Sequence, residues 1–283
     1  MDRLTIWLGH VFQSRDLNGI IRDHAMLTLY DNPFSPFARK VRMVLRFKGL
    51  EFESIDALAL DEHDRLVKVN PRAEVPVLVD KGFAVTDSAD IVYYLEDRFP
   101  TPAVFPAEPE LRAKARRWQR AADTLLDAII HDISIWTWPT HERPDEPPEG
   151  LLQAGREDLR KVLSQLENSL HAGGFVCGDL SIADFALFPH ISALKPLGIL
   201  LEESTHPRLL HWNRAMRSQA PVQNDLEYVK RCAFEKFMSG QSPYEDEKIV
   251  WRGDRIEWLL AHGFRDWFLA ELEAGRAVIP RSV

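Results

Sequence analysis

The sequence predicts an α/β domain followed by an all-helical domain, and three observations carry that prediction. Short runs that alternate apolar and polar residues fall between Leu27 and Thr86, with helical spacings between them. From Pro106 onward the spacing is helical. Between the two patterns stands Phe99-Pro100-Thr101-Pro102, which breaks the preceding helix. The chain therefore divides into an amino-terminal extension (1–25), an α/β domain (26–102), an all-α domain (103–220) and a helical carboxy-terminal extension (221–283) packed on it.

Leu27-Thr28-Leu29-Tyr30 is the first strand. Ser35 stands immediately before Pro36: Ser is a favoured N-cap, and Pro suits the first helical position because it lacks only an N–H that would be unpaired there. Phe37, Val41, Val44 and Leu45 then supply one apolar face. Arg39, Lys40, Arg42 and Arg46 fall mostly away from it, and Gly49 ends the helix. A serine hydroxyl is thereby set at the positive end of a helix and at the tip of a strand, where an anion is stabilised. Phe52-Glu53-Ser54-Ile55 is a second strand, and Asp61 to Val69 a short helix closed by Asn70-Pro71. Val77-Leu78-Val79 and Phe83-Ala84-Val85 flank Lys81-Gly82 as a hairpin, and Thr86-Asp87-Ser88 caps a helix carrying Ile91, Val92 and Leu95. In the order β-α-β-α-β-β-α, the first crossover helix makes two strands parallel and the hairpin adds antiparallel ones.

In the second half, Glu110 to about Trp138 reads as one long helix, Pro139 to Pro148 as a loop, and Leu151 to about His171 as a helix ended by Gly173-Gly174. At Leu180-Ser181-Ile182-Ala183-Asp184-Phe185, Ser181 caps and Asp184 answers three residues on. The helix opened there is apolar nearly all round, which puts it at the centre of its domain. His206-Pro207-Arg208 opens another helix. Beyond Pro221, Trp251, Trp258 and Trp267 account for three of the eight tryptophans. So much aromatic surface calls for burial, against the chain's own helical domain or over a substrate cleft or partner subunit.

Composition narrows the functional classes. A formal net charge of -8 disfavours nucleic acid or an anionic membrane as the main partner, and Arg112, Lys114, Arg116, Arg117 and Arg120 read as a solvated helix face. No apolar stretch approaches the roughly 20 residues of a membrane-spanning helix. Cys177 and Cys232 form no CxxC pair, which argues against a disulfide framework and for a reducing cytoplasm. The histidines show no metal-ligand spacing, so no metal is assigned. Residues 1–25 scatter Arg3, Arg15, Arg22 and Asp23 among apolar residues. They read as an upstream extension with Met26 as the start, or as a tail wrapping another subunit.

Four features coincide in order and spacing: Ser35-Pro36, Asn70-Pro71 followed by Val75-Pro76, Asp87-Ser88, and the run Gly178-Asp179-Leu180-Ser181-Ile182-Ala183-Asp184. Over Leu27 to Gln219 the chain thereby resembles the cytosolic glutathione transferase superfamily, in its serine-type, bacterial-like form. The resemblance implies a thioredoxin-like domain binding glutathione as co-substrate, an all-α domain and a homodimer. It implies that Ser35 hydrogen-bonds the glutathione sulfur, that Val75 before a cis Pro76 pairs with the cysteinyl backbone, and that Asp87 and Ser88 grip the γ-glutamyl end. Where the family commonly has Lys or Gln to hold the glycyl carboxylate, this chain has Glu74, which either opposes that carboxylate or pairs with a base such as Arg72 or Arg39. Ser35, Asp87 and Ser88 also have a purely structural reading as helix caps, and Pro76 one as inherited geometry. Trp118, His131, Trp136 and Trp138 lie on the helix that often lines the electrophile pocket, some of them as plain core. Cys177, with no activating base, reads as structural. The function implied is transfer of the glutathione thiolate to a small hydrophobic electrophile, an ether-cleaving or dehalogenating lyase being a relative of the same chemistry. The alternative is a non-catalytic binding or regulatory module on the same fold.

Overall fold

The computed structural model describes residues 26–57, 62–136, 141–142, 146–170, 174–237 and 247–279. The expectations placed on residues 1–25, Asp61, Trp138 and Gly173 lie outside the described residues.

The amino-terminal unit comprises β1 (Leu27–Asp31), α1 (Pro36–Phe47), β2 (Phe52–Asp56), α2 (His63–Val69), β3 (Val77–Asp80), β4 (Phe83–Thr86) and α3 (Ser88–Arg98). The sheet runs β2-β1-β3-β4, with β1 parallel to β2 and antiparallel to β3. The crossover through α1 dictates the parallel pair. Between β3 and β4, Lys81 (φ 50°) and Gly82 (φ 84°) supply the two positive φ angles that a primed two-residue hairpin turn requires. Val41, Val44 and Leu45 of α1 are buried with Leu29, Leu78, Ile91, Val92 and Leu95. The fold is a thioredoxin-like domain followed by a helical one.

The helical unit begins with α4 (Pro109–Ala121), a π-helical turn (Ala122–Leu126) and α5 (Asp127–Ser134). The single long helix expected to reach Trp138 is thus interrupted by a π turn and stops at Ser134. There follow β5 (His141–Glu142), α6 (Leu151–Ser169), α7 (Ile182–Ala193), α8 (Pro207–Arg217), α9 (Ala220–Phe237), β6 (Glu247–Val250), α10 (Gly253–Ala261), α11 (Arg265–Glu273) and β7 (Ala277–Val278). The carboxy-terminal stretch, read from sequence as helical, also contains two strands: β6 pairs in parallel with β7 and, across the chain, with β5. The pairing satisfies backbone groups beside a buried aromatic layer. Trp251 N donates to Val278 O at 2.8 Å, while the Trp251 ring, 1% exposed, meets Trp267 and Phe268 edge-on.

Helix α7 is buried from Ile182 to Ile191. The capping box at Ser181 and Asp184 is formed. The buried Asp184 carboxylate accepts from Ser181 N and Oγ at 2.9 Å each, from Val176 N at 2.9 Å and from Trp212 Nε1 at 2.8 Å. One carboxylate therefore caps α7 and ties it to α8.

The cationic stripe of α1 is covered as well. Lys40 and Arg42 are fully buried and Arg39 nearly so. Arg42 donates to both Asp31 oxygens at 2.5 and 2.7 Å. Arg42 Nε and Arg39 Nε share Asp225 of α9 at 3.0 and 2.9 Å, and Lys40 meets Asp123 of the π turn at 2.5 Å. The Tyr228 ring lies 4.8 Å from the Arg42 guanidinium. Burying that many charges is tolerable only because each is paired. The pairs fix α1, and with it Ser35, between the sheet and the helical layer.

Candidate active site

The strand register assembles the site. Tyr30 pairs with Val77, and Val77 with Thr86, so these three residues lie in line across β1, β3 and β4. Past that line the chain leaves β1 toward Ser35, enters β3 through Val75-Pro76 and leaves β4 into Asp87-Ser88. The sequence-predicted residues Ser35, Val75, Pro76, Asp87 and Ser88 thus share one end of the sheet, where two helices, α1 and α3, present their N-termini.

Ser35 is half-buried at the N-cap of α1. Its turn is built by Asn32, whose Oδ1 accepts from Phe34 N at 3.0 Å and Ser35 N at 3.2 Å. Ser35 Oγ accepts from Ala38 N at 3.4 Å, a long cap bond. The hydroxyl proton can therefore be offered outward while the cap persists.

The second edge is the loop from Asn70 to Pro76. Buried Asn70 accepts from Arg72 N at 3.2 Å and donates to Glu74 O at 2.8 Å, and the Val75–Pro76 peptide is cis. Among the described residues, the backbone N–H and C=O of Val75 have no hydrogen-bond partner. An extended peptide laid along this edge finds both unspent. Glu74 does not project alone. Its carboxylate takes Arg72 Nε at 2.7 Å and Nη2 at 3.2 Å, and that bond holds the Arg72 guanidinium more firmly protonated. Arg39, the other candidate partner, belongs to the Asp225 cluster instead.

At the third edge, Asp87 caps α3 by accepting from Ala89 N at 2.7 Å. Its backbone sits at φ 67°, ψ 130°, a conformation costly for a residue with a Cβ. Asp87 is exposed and Ser88 buried.

Two features of the opposite wall were not found from sequence. Asp123 of the π turn, paired with Lys40, carries a carboxyl whose pKa burial pushes up against the pull of Lys40. Arg252, at the start of α10, sets its guanidinium 4.4 Å from the centre of the Phe37 ring in the first turn of α1. The only available signal was the basic residue after Trp251. The aromatic residues expected along the electrophile-facing helix are distributed differently. Trp118 is core; His131 lies under Trp251 and Trp136 against Trp267; Trp138 lies outside the described residues. Cys177 is buried, its Sγ donating to Leu111 O at 3.5 Å, and burial pushes its thiol pKa up. Among the described residues, no three His, Cys, Asp or Glu side chains converge as metal ligands, and no helix is long and apolar enough to cross a membrane. Cavities of about 320 and 270 Å³ lie elsewhere, the first between α6 and the segment before α8, the second between α3 and α4.

Fold and site together define a glutathione-transferase-like protein, and the comparisons agree. Residues 29–103 match the model for the glutathione S-transferase N-terminal domain and residues 129–220 that for the C-terminal domain. Glutathione S-transferase U8 of Arabidopsis thaliana is 30% identical over 216 residues, 71% of this chain and 91% of that protein. A probable glutathione S-transferase of Nicotiana tabacum is 30% identical over 155 residues, 54% of this chain and 64% of its own. A stringent starvation protein A homolog of Coxiella burnetii is 34% identical over 176 residues, 62% of this chain and 79% of that protein. Among solved structures, beta-etherase LigF from Sphingobium sp. strain SYK-6 superposes with a TM-score of 0.63 at 25% identity, covering 72% of this chain and 99% of LigF. Ure2p in complex with glutathione superposes with a TM-score of 0.63 at 20% identity, covering 71% and 93%. The chain belongs to the glutathione S-transferase family.

Proposed function

We propose that this protein binds glutathione across the sheet end and transfers its thiolate to a small electrophile, with Ser35 donating to the sulfur. One observation carries the reading: the register brings Ser35, the unpaired backbone of Val75 and the Asp87-Ser88 helix start to one edge. In this reading Val75 pairs with the cysteinyl backbone before Pro76, and Asp87 and Ser88 hold the γ-glutamyl end. Glu74 stands beside the glycyl end already neutralised by Arg72, which removes most of the repulsion a bare carboxylate would exert.

The chemistry follows from magnitudes. A free thiol has a pKa of about 8.5. A hydrogen bond from the Ser35 hydroxyl to the thiolate is worth roughly 1.5–3 kcal/mol. At about 1.36 kcal/mol per unit, that lowers the thiol by about one to two units, and the N-terminus of α1 adds to it. The thiol proton goes to solvent. The sulfur lone pair forms the bond to carbon, and the leaving group departs with its electrons. Serine, unlike cysteine, cannot form a mixed disulfide, so conjugation or ether cleavage is favoured over thiol–disulfide exchange. A homodimer working in the cytoplasm completes the reading.

A second reading, a binding or regulatory module without turnover, is favoured by one observation: the carboxy-terminal segment covers His131 and Trp136 on the helix expected to face the electrophile. Calorimetry with glutathione, followed by turnover of chlorodinitrobenzene, separates the two. Binding with turnover supports the transferase; neither supports the module.

A further inference from the structure

We infer that the electrophile taken by this site carries an anionic group, a carboxylate or sulfonate, and that Arg252 is the residue that selects it. The inference rests on the transferase reading above and goes beyond it by replacing a hydrophobic acceptor with an acidic one.

The aromatic wall that would receive a hydrophobic electrophile is already occupied. Trp251 packs edge-on to His131 at 5.5 Å, and Trp267 lies 5.9 Å from Trp136. This cover is anchored: Arg255 Nε and Nη2 reach the two oxygens of buried Asp127 at 2.8 and 3.2 Å, and its Nη1 donates to Val250 O at 2.9 Å. What the cover presents to the Ser35 helix is a cation. Arg252 follows Trp251 directly, and its guanidinium rests on the face of Phe37, two residues after Ser35. A planar guanidinium on an aromatic face is oriented without using its N–H donors.

Those donors are unspent. Among the described residues, no hydrogen bond engages the Arg252 guanidinium. Its one ion pair among those residues is a 3.5 Å approach to Asp254, and its side chain stays 27% exposed. Asp254 sits in the first turn of α10, where burial pushes its carboxyl pKa up against the pull of Arg252 and weakens it as a competitor for the guanidinium. Across the gap, Asp123 is engaged by Lys40 at 2.5 Å. Asp123 is therefore held by Lys40, and Asp254 meets Arg252 only at 3.5 Å. A fork of N–H donors beside the nucleophile's helix matches two oxygens of a carboxylate or sulfonate bidentately.

The test compares two chloroarenes of one reaction, neutral chlorodinitrobenzene and anionic chloronitrobenzoate, in the full-length protein. In both, the glutathione sulfur forms the new bond to the ring carbon and chloride leaves with the bonding electrons. Intrinsic reactivity cancels when the ratio of kcat/KM, benzoate over dinitrobenzene, is compared between variants. Arg252→Gln is expected to lower this ratio about tenfold, mostly through KM for the benzoate, which is about 1.4 kcal/mol. Arg252→Lys is expected to keep it within about threefold. In the wild type, the benzoate KM is expected to rise with added salt, a readout independent of any variant's folding. A ratio unmoved in Arg252→Gln and insensitive to salt overturns the inference while leaving the transferase reading intact. A rise in glutathione KM with the ratio unchanged also overturns it, by assigning Arg252 to the tripeptide. Absence of glutathione binding and of turnover with both arenes overturns the transferase reading and this inference with it.

Discussion

Removing the Asp225 carboxylate should cost this protein more stability than any surface change. Asp225 is fully buried on α9 and is shared by Arg39 Nε at 2.9 Å and Arg42 Nε at 3.0 Å, both on α1. Breaking a buried pair from one side costs about 3–5 kcal/mol, because the partner charge is left unpaired. Arg42 retains Asp31 at 2.5 and 2.7 Å, whereas Arg39 falls back on Pro189 O and Ser192 Oγ. The lower end of that range, about 3 kcal/mol, is therefore expected for Asp225→Ala. For a chain of this size each kcal/mol is worth about 2–4 °C, so Tm should drop by about 6–12 °C. Asp225→Asn keeps an acceptor but no charge and should fall between. Thermal and urea melts of the full chain read both. A Tm for Asp225→Ala within about 2 °C of the wild type would refute the idea that this carboxylate clamps α1.

Three further outcomes follow from buried groups. Asp184→Ala strands Val176 N, Ser181 N and Trp212 Nε1. At about 1–3 kcal/mol for each unsatisfied group, it should destabilise far more than Ser181→Ala, worth about 1 kcal/mol, as urea melts of the two variants will show. His190 is fully buried, and burial lowers its pKa to about 4. Its neutral form contributes stability above the unfolded value of about 6.5, lost as pH falls from there toward 4; about 3 kcal/mol should disappear, and His190→Gln should flatten the decline of Tm across that window. Among the described residues the buried Asp132 has no hydrogen-bond partner for either oxygen, and burial pushes its pKa well above the ordinary carboxylate value. The stability that goes with its neutral form is full below about 3.8 and lost as pH rises, so Asp132→Asn should gain on the wild type between pH 4 and 7 in parallel melts.

What the sequence made legible was local. Ser35-Pro36, Asp87-Ser88, the Lys81-Gly82 hairpin and the Ser181-Asp184 box are each written within a few residues, and each stands at the element boundary where it was read. The meeting of Ser35-Pro36 with Asp87-Ser88 at one sheet end follows from register, which alternation and turn length already constrain. The partners of the α1 cations were not legible, because they come from Asp31, Asp123 and Asp225, up to 186 positions away. A stripe of Arg and Lys reads the same whether water or a buried carboxylate lies opposite. The interruption of the long helix at Ala122–Leu126 also escaped, since one π turn leaves the apolar spacing nearly intact. Arg252 escaped for a third reason. Its position depends on three parallel two- to four-residue strands, too short to show a period.

The role of Ser35 is tested most directly by the pKa of the glutathione thiol bound to the wild type and to Ser35→Ala, followed through thiolate absorbance over a pH titration. With the cap bond already long at 3.4 Å, the substitution should leave the fold in place. The account predicts a thiol about one to two units below free glutathione in the wild type and a rise of about one to two units in Ser35→Ala. Bound thiols titrating at the same pH in both proteins would contradict it and leave Ser35 a helix cap alone.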